Sequence, residues 1–159
     1  MSENSGLQRA RSLRLMTLIM IGLAASIAAM VFIFAPPGES SPAVAVGLAA
    51  FVLVLTLVVD RLNVGLTPVG LDDADPGTTA HTAFTQTTVL KFTIIEFPLV
   101  AGVVLTFLLE DRWLVVGAGI AVVACIAFAV YPSRRNVAKA ATVLESNGAR
   151  TRLVEDFNQ

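Results

Sequence analysis

"LMTLIMIGLAASIAAMVFIF", residues 15–34, is the first of several long apolar segments in this chain. It contains no charged side chain, and about 20 residues is the length that an α-helix needs to cross the hydrocarbon core of a bilayer. In lipid, every backbone N–H and C=O group must be hydrogen-bonded within the protein, and a single helix achieves this by itself. The stretch therefore predicts a membrane-spanning helix.

Three further apolar runs follow the first, at residues 43–59, 84–109 and 113–131. The composition agrees with them, because 55% of the residues are hydrophobic and only 14% are charged. Soluble domains typically have about a quarter charged residues. We therefore predict an all-α fold, an integral membrane four-helix bundle with helices at about 15–34, 43–59, 84–109 and 113–131.

The basic residues predict the orientation of the four helices. If the helices alternate in direction, ten of the eleven Lys and Arg residues lie on one side, and the exception is Arg112. Cytoplasmic loops are enriched in Lys and Arg, so this side is predicted to be the cytoplasm. Both termini are then cytoplasmic, with residues 1–14 as an N-terminal tail and residues 132–159 as a basic C-terminal tail. The predicted location is the cytoplasmic membrane.

The connection between the second and third helices, about residues 60–83, is predicted to be a cytoplasmic loop without a core of its own. It is rich in Gly, Pro, Thr and Asp, and it contains Asp72, Asp73 and Asp75 close together. Clustered carboxylates can attract a hard cation, but the spacing does not follow the EF-hand pattern. A solvated turn is the favoured interpretation, no metal site is predicted, and His81 is interpreted as a bystander.

The C-terminal tail shows the pattern of an amphipathic helix. Val137, Ala140, Ala141 and Leu144 recur at helical spacing, and the basic residues Arg134, Arg135 and Lys139 lie mainly off this stripe. A basic amphipathic helix beside a membrane can bind anionic lipid headgroups. The favoured prediction is that these three residues contact the lipid surface. The alternative is that the helix packs on the cytoplasmic loop of its own chain.

The third run contains the residues that suggest a site. Glu96 lies roughly 12 Å along the helix from Thr88 at the inner boundary, which is close to the middle of the hydrocarbon core. A carboxylate at that depth costs about 2.5 to 3.5 kcal/mol to insert. Pro98 removes one helical hydrogen bond and is expected to bend the helix beside Glu96. Lys91 lies about one turn nearer the cytoplasm, and Ser26 of the first helix is at a similar depth to Glu96. These four residues form the predicted intramembrane ion, proton or hydrogen-bond site.

Two resemblances extend this prediction. The stretch "IIEFPLVAGVVL", residues 94–105, resembles the carboxylate-bearing helix of rotary-ATPase proteolipids, in which a Glu, a nearby Pro and a following Gly recur. This resemblance implies that Glu96 is an ion-carrying carboxylate, although the glycine-repeat helix of the F-type proteolipids is missing. The Ala- and Val-rich chain as a whole resembles uncharacterised four-helix membrane proteins of high-GC Gram-positive bacteria, which implies a cell-membrane location.

Three classes of function are compatible with a chain of this kind. The favoured prediction is a non-catalytic accessory subunit that binds a membrane-protein partner or a second copy, with Glu96 as a neutral hydrogen-bond donor or paired to the partner. The alternative is a proton- or ion-translocating subunit built around Glu96. An enzyme is the least favoured class, because no Ser/His/Asp set and no His cluster is present. No cofactor is predicted, and the net charge of −1 argues against a nucleic-acid partner.

Overall fold

The regular structure of the chain is helical. The computed structural model describes residues 3–38, 42–62 and 65–158, and these residues contain no β-strand. The helices are α1 (Glu3–Phe34), α2 (Pro42–Leu62), α3 (Pro76–Leu108), α4 (Trp113–Cys125), α5 (Arg134–Leu144) and α6 (Leu153–Asn158), and a π-helical turn at Ile126–Val130 continues α4. The prediction of an all-α fold is confirmed for the described residues.

Four of the helices are long and apolar enough to cross a membrane. The candidate spans are Gly6–Phe34, Pro42–Arg61, Pro76–Leu108 and Trp113–Val130. They correspond in order to the four apolar runs of the sequence. The prediction of four such helices is therefore confirmed.

The chain divides into two compact units. One unit, here called the apolar unit, contains the described residues within 19–62 and 92–129. The other, here called the charged unit, contains residues 3–18, 65–91 and 130–158. Helices α1 and α3 each contribute residues to both units.

Close contacts between small residues hold the apolar unit together. A methyl group added at Gly119 would lie 2.6 Å from the Cβ atom of Ala28, and one added at Gly102 would lie 2.7 Å from that of Ala118. Both distances are shorter than real Cβ contacts, so α4 approaches α1 and α3 at positions where only glycine fits. The Cys125 thiol of α4 also donates to the Val52 carbonyl of α2, at 3.9 Å. Small residues of this kind let helix backbones meet closely.

The two short connections of the apolar unit meet each other. Pro37, after α1, and Asp111, after α3, form an isolated antiparallel bridge. A carboxylate oxygen of Asp111 accepts the backbone N–H of Trp113 at 3.0 Å, which satisfies one of the free amide groups at the start of α4. In the sequence, Ser40 or Ser41 can cap α2 ahead of Pro42, and both serines lie outside the described residues.

The charged unit has a hydrophobic core of its own. Three separate segments of the chain supply its buried side chains, which are Ala10, Leu13, Val69, Ala80, Phe84, Val137, Ala140, Ala141, Leu144, Ala149, Leu153 and Phe157. The inner loop, which was predicted to have no core of its own, contributes Val69 and Ala80 to this shared core. Val69 is buried in this core, and its backbone N–H donates to the Leu144 carbonyl at 2.9 Å.

Two of the long helices begin earlier than the apolar runs indicate. Helix α1 begins at Glu3 rather than at Leu15, because Ala10 and Leu13 are buried in the core of the charged unit. Helix α3 begins at Pro76 rather than near Phe84. An Asp followed by Pro is a helix-start signal, and hydropathy does not detect it.

The C-terminal tail packs on its own chain. Helix α5 begins after Ser133, whose hydroxyl accepts the backbone N–H of Asn136 at 3.3 Å. Its apolar stripe is buried in the core of the charged unit with Val69 and Phe84 of the inner loop and α3. This is the alternative that the sequence left open, and the stripe is not free to enter a lipid surface. The helix is followed by Gly148, which has a φ of 90° that favours glycine.

Candidate functional site

Glu96 lies in the part of α3 that belongs to the apolar unit, at the edge of the buried face of the helix. Its neighbours Ile95 and Leu99 are fully buried, whereas Phe97 is 70% exposed. The Glu96 side chain itself is half-buried. Among the described residues, its carboxylate has no hydrogen-bond or ion-pair partner. A carboxylate in this position is available to an incoming group.

Pro98 stands beside Glu96 within the same helix. It is buried, and α3 continues past it to Leu108. Because proline has no backbone N–H, the carbonyl of Ile94 lacks its usual helical donor. The Glu96 carboxylate and the helical carbonyl that receives no bond from Pro98 thus lie within one turn of each other. The predicted bend at this point stays a prediction.

The other two residues of the predicted site are placed differently. The Ser26 hydroxyl donates to the Gly22 carbonyl of its own helix at 2.8 Å, and the side chain is exposed. Lys91 belongs to the charged unit, where it is buried with 9% of its surface exposed. Glu96 and Pro98 therefore lie together in α3, and the Ser26 hydroxyl donates within its own helix.

The basic residues predicted to contact lipid lie on α5. Arg134 and Arg135 are exposed, and Lys139 is half-buried. They lie off the stripe that faces the core, so their charged groups are on the outer side of the helix. Contact with anionic headgroups stays a prediction.

A cluster that sequence reasoning missed holds the C-terminal helix in the charged unit. The Nε2 atom of His81 lies 2.7 Å from a carboxylate oxygen of Asp156, and His81 is 5% exposed. The imidazole stacks on the ring of Phe157, with 5.8 Å between ring centroids. Arg14 donates to the Phe157 carbonyl and lies over its ring, 5.6 Å from the centroid. Contacts among His81, Asp156, Phe157 and Arg14 therefore fix the position of α6.

The acidic residues of the inner loop shape the start of α3. An Asp73 carboxylate oxygen accepts the backbone N–H of Asp75 at 3.0 Å. Asp75 in turn accepts the Thr78 hydroxyl at 2.6 Å and the Thr78 backbone N–H at 3.0 Å. The bond from the Thr78 hydroxyl, and to a smaller extent the bond from the Thr78 backbone N–H, hold the pKa of Asp75 below its usual value. Within the described ranges, no group of three His, Cys, Asp or Glu side chains is placed to bind a metal.

An apolar groove runs along the apolar unit between α1 and α4. It has a volume of about 480 Å³ and is lined by residues such as Ala25, Ala29 and Phe32 of α1 and Gly119, Ile120 and Val123 of α4. At one end, the guanidinium of Arg112 lies over the Phe32 ring, 5.0 Å from its centroid. The Trp113 ring contacts Phe32 edge-on at 5.5 Å between centroids.

The signals for these features differ in strength. Arg112 is conspicuous in the sequence as the single exception to the basic-residue pattern, whereas the groove depends on helix packing that the sequence does not specify. His81 and Asp156 are 75 positions apart, and no motif spacing connects them. Comparisons of the chain with protein-family models, with curated proteins and with solved structures find no match.

Proposed function

We propose that the chain is a multi-pass protein of the cytoplasmic membrane with both termini in the cytoplasm, and that it is a non-catalytic accessory subunit of a larger membrane complex. Four helices long and apolar enough to cross a membrane support the location. The concentration of basic residues on one side supports the orientation.

The observation that carries the accessory function is the unequal use of the glycines. At Gly102 and Gly119, a neighbouring helix already occupies the space that an added methyl group would need. Gly47 of α2 and Gly22 of α1, by contrast, have no atom of another element within 4 Å of an added methyl group. The described part of the chain therefore leaves two glycines on its apolar helices without a packing partner.

Helix α2 offers the clearer of these two surfaces. Ala43, Gly47, Ala50 and Val54 lie at helical spacing, and none of them is buried. We call them the Gly47 face. Glycine in a helix costs about 1 kcal/mol relative to alanine, and it gives close backbone approach in return. A transmembrane helix of another subunit, or of a second copy, is the occupant that uses this property.

The second candidate function is proton or ion translocation through Glu96. It is favoured by one observation, the half-buried carboxylate beside Pro98 in the apolar unit. An ionisable residue within a membrane helix is functional more often than not. In the accessory role, the same carboxylate binds a donor of the partner subunit.

The accessory function is tested by purification in mild detergent, with Gly47→Leu compared with Ala127→Leu. Both positions are small residues of the apolar unit that are not buried, but Ala127 lies outside the Gly47 face. We expect Gly47→Leu to separate the chain from its partner and to leave its helical content unchanged. Ala127→Leu should behave like the parent. Equal recovery of the same complex from both variants contradicts the proposal.

A further inference from the structure

The groove between α1 and α4 has the dimensions of a ligand site. Its volume of about 480 Å³ falls within the roughly 300 to 1,000 Å³ of small-molecule pockets. On α4 it extends from Val116 to Ala124, which is about 12 Å at 1.5 Å per residue. Its lining is alanine, glycine, valine, isoleucine and phenylalanine, so an occupant must be elongated and apolar over this length.

A cation stands at one end of the groove. Arg112 lies in the connection between the two candidate spans Pro76–Leu108 and Trp113–Val130, and the proposed membrane location puts such a connection near a headgroup layer. Its guanidinium rests on the face of Phe32, which also lines the groove. Stacking on a ring holds the planar guanidinium in place and leaves the N–H groups along its edge able to donate. Trp113, 46% exposed, stands beside the same ring.

We propose that the groove binds one phospholipid molecule, with an acyl chain between α1 and α4 and the phosphate on Arg112. The charge of the guanidinium and its two parallel N–H donors match the oxygens of a phosphate diester. The apolar lining matches the hydrocarbon chain, and the Trp113 ring is typical of the headgroup boundary.

A partner helix fits this groove less well than a lipid does. A helix would fill the apolar part, but it would need an Asp or Glu placed at Arg112 to avoid leaving a desolvated charge unpaired at the contact. A phospholipid supplies both parts in one molecule. The site also lies on α1 and α4, apart from the Gly47 face of α2, so it goes beyond the proposed accessory function and does not depend on it.

The site can be tested by fluorescence, because Trp113 is the only tryptophan of the chain. The purified full-length protein in detergent is titrated with a phosphatidylglycerol that carries bromine on its acyl chains near the glycerol, and quenching of Trp113 is recorded. We expect saturable quenching in the parent. Arg112→Gln removes a charge-assisted contact with the phosphate and should weaken binding about tenfold or more.

Matched variants separate the site from general lipid contact. Ala29→Phe fills the groove and should abolish the saturable phase, whereas Ala127→Phe, an exposed alanine outside the groove, should not. Arg150→Gln, an exposed arginine of the charged unit, controls for net charge. Circular dichroism verifies that each variant is folded, and Ala124→Phe serves as a second groove-filling variant if Ala29→Phe is not.

Two outcomes overturn the proposal. The first is linear quenching of equal slope in the parent, Arg112→Gln and the folded groove-filling variant, which means that Trp113 meets only bulk lipid. The second is protection of Trp113 from brominated lipid by a co-purified protein, which means that a partner helix occupies the groove. Neither outcome affects the test of Gly47, so the two proposals fail separately.

Discussion

The imidazole of His81 and the carboxylate of Asp156 form a hydrogen-bonded pair 2.7 Å apart. His81 lies in the second turn of α3, and Asp156 lies in the short helix α6. The pair is well shielded from solvent, with 6% of the His81 side chain and 16% of the Asp156 side chain exposed. A helix of six residues does not form by itself, so its position depends on contacts of this kind.

We predict that Asp156→Asn and His81→Gln each loosen α6. Leaving one partner of a largely shielded hydrogen bond unpaired costs about 1 to 3 kcal/mol. Within this range, about 1 to 2 kcal/mol corresponds to a roughly 5- to 30-fold change in an opening equilibrium. Hydrogen exchange of the α6 backbone amides should accelerate accordingly. Glu155→Gln is the control, because the charged groups of Arg152 and Glu155 are 4.0 Å apart and each side chain is more than 70% exposed. An exposed ion pair of this kind contributes little to stability. Unchanged exchange in Asp156→Asn would show that the pair does not hold the helix.

The four apolar helices could be predicted because each apolar run alone is long enough to indicate a helix that can cross a membrane. Residues 15–34 and 113–131 are examples. The charged unit was not predictable in this way. Ala10, Val69 and Leu153 come from three distant segments and share one core, and no local period connects them.

The residues of the candidate site likewise differ in how well the sequence predicts their placement. Glu96 and Pro98 are neighbours in one helix, so the sequence was sufficient to place them together. The choice of Ser26 as an acceptor for Glu96 used depth alone, and depth does not determine which way a hydroxyl points. A serine within a helix commonly bonds to the carbonyl four residues earlier, and Ser26 does so with Gly22.

The start of α3 should respond to acid. The Thr78 hydroxyl and backbone amide stabilise the charged form of Asp75 and hold its pKa below the usual value. A carboxylate with a lowered folded-state pKa contributes stability above its unfolded pKa, and this contribution is lost as the pH falls through the folded value. We expect the Thr78 amide resonance to titrate with a midpoint below the roughly 3.9 of an unperturbed Asp. Asp75→Ala should abolish this titration and increase fraying of the first turn of α3.

The orientation can be read by labelling single cysteines. The native Cys125 is buried, with 5% of its surface exposed, so its background should be low. With cysteine at position 5 or 158, an impermeant maleimide should not react in intact cells, because the proposed orientation places both positions in the cytoplasm. Cysteine at position 110, an exposed residue between α3 and α4, should react. Labelling of position 5 or 158 from outside would reverse the proposed orientation.

Glu96 separates the two candidate functions. In the accessory role, Glu96→Gln keeps a donor and an acceptor and should preserve assembly. Glu96→Leu removes both and should weaken assembly by about 1 to 3 kcal/mol. Proteoliposomes of the parent should then show no proton or sodium flux above empty vesicles. Translocation would be favoured instead if the parent shows flux and Glu96→Gln abolishes it. The exposed control Glu110→Gln should then retain the flux.

Photo-crosslinking in intact cells directly tests whether α2 contacts another membrane subunit through the Gly47 face. A photoreactive side chain at Ala50, on this face, is compared with one at Ala127, which is exposed on the π-helical turn that continues α4. We predict a discrete protein adduct from position 50 that disappears in the Gly47→Leu background, and none from position 127. Adducts to lipid alone from both positions, unchanged by Gly47→Leu, would contradict a subunit contact at the Gly47 face.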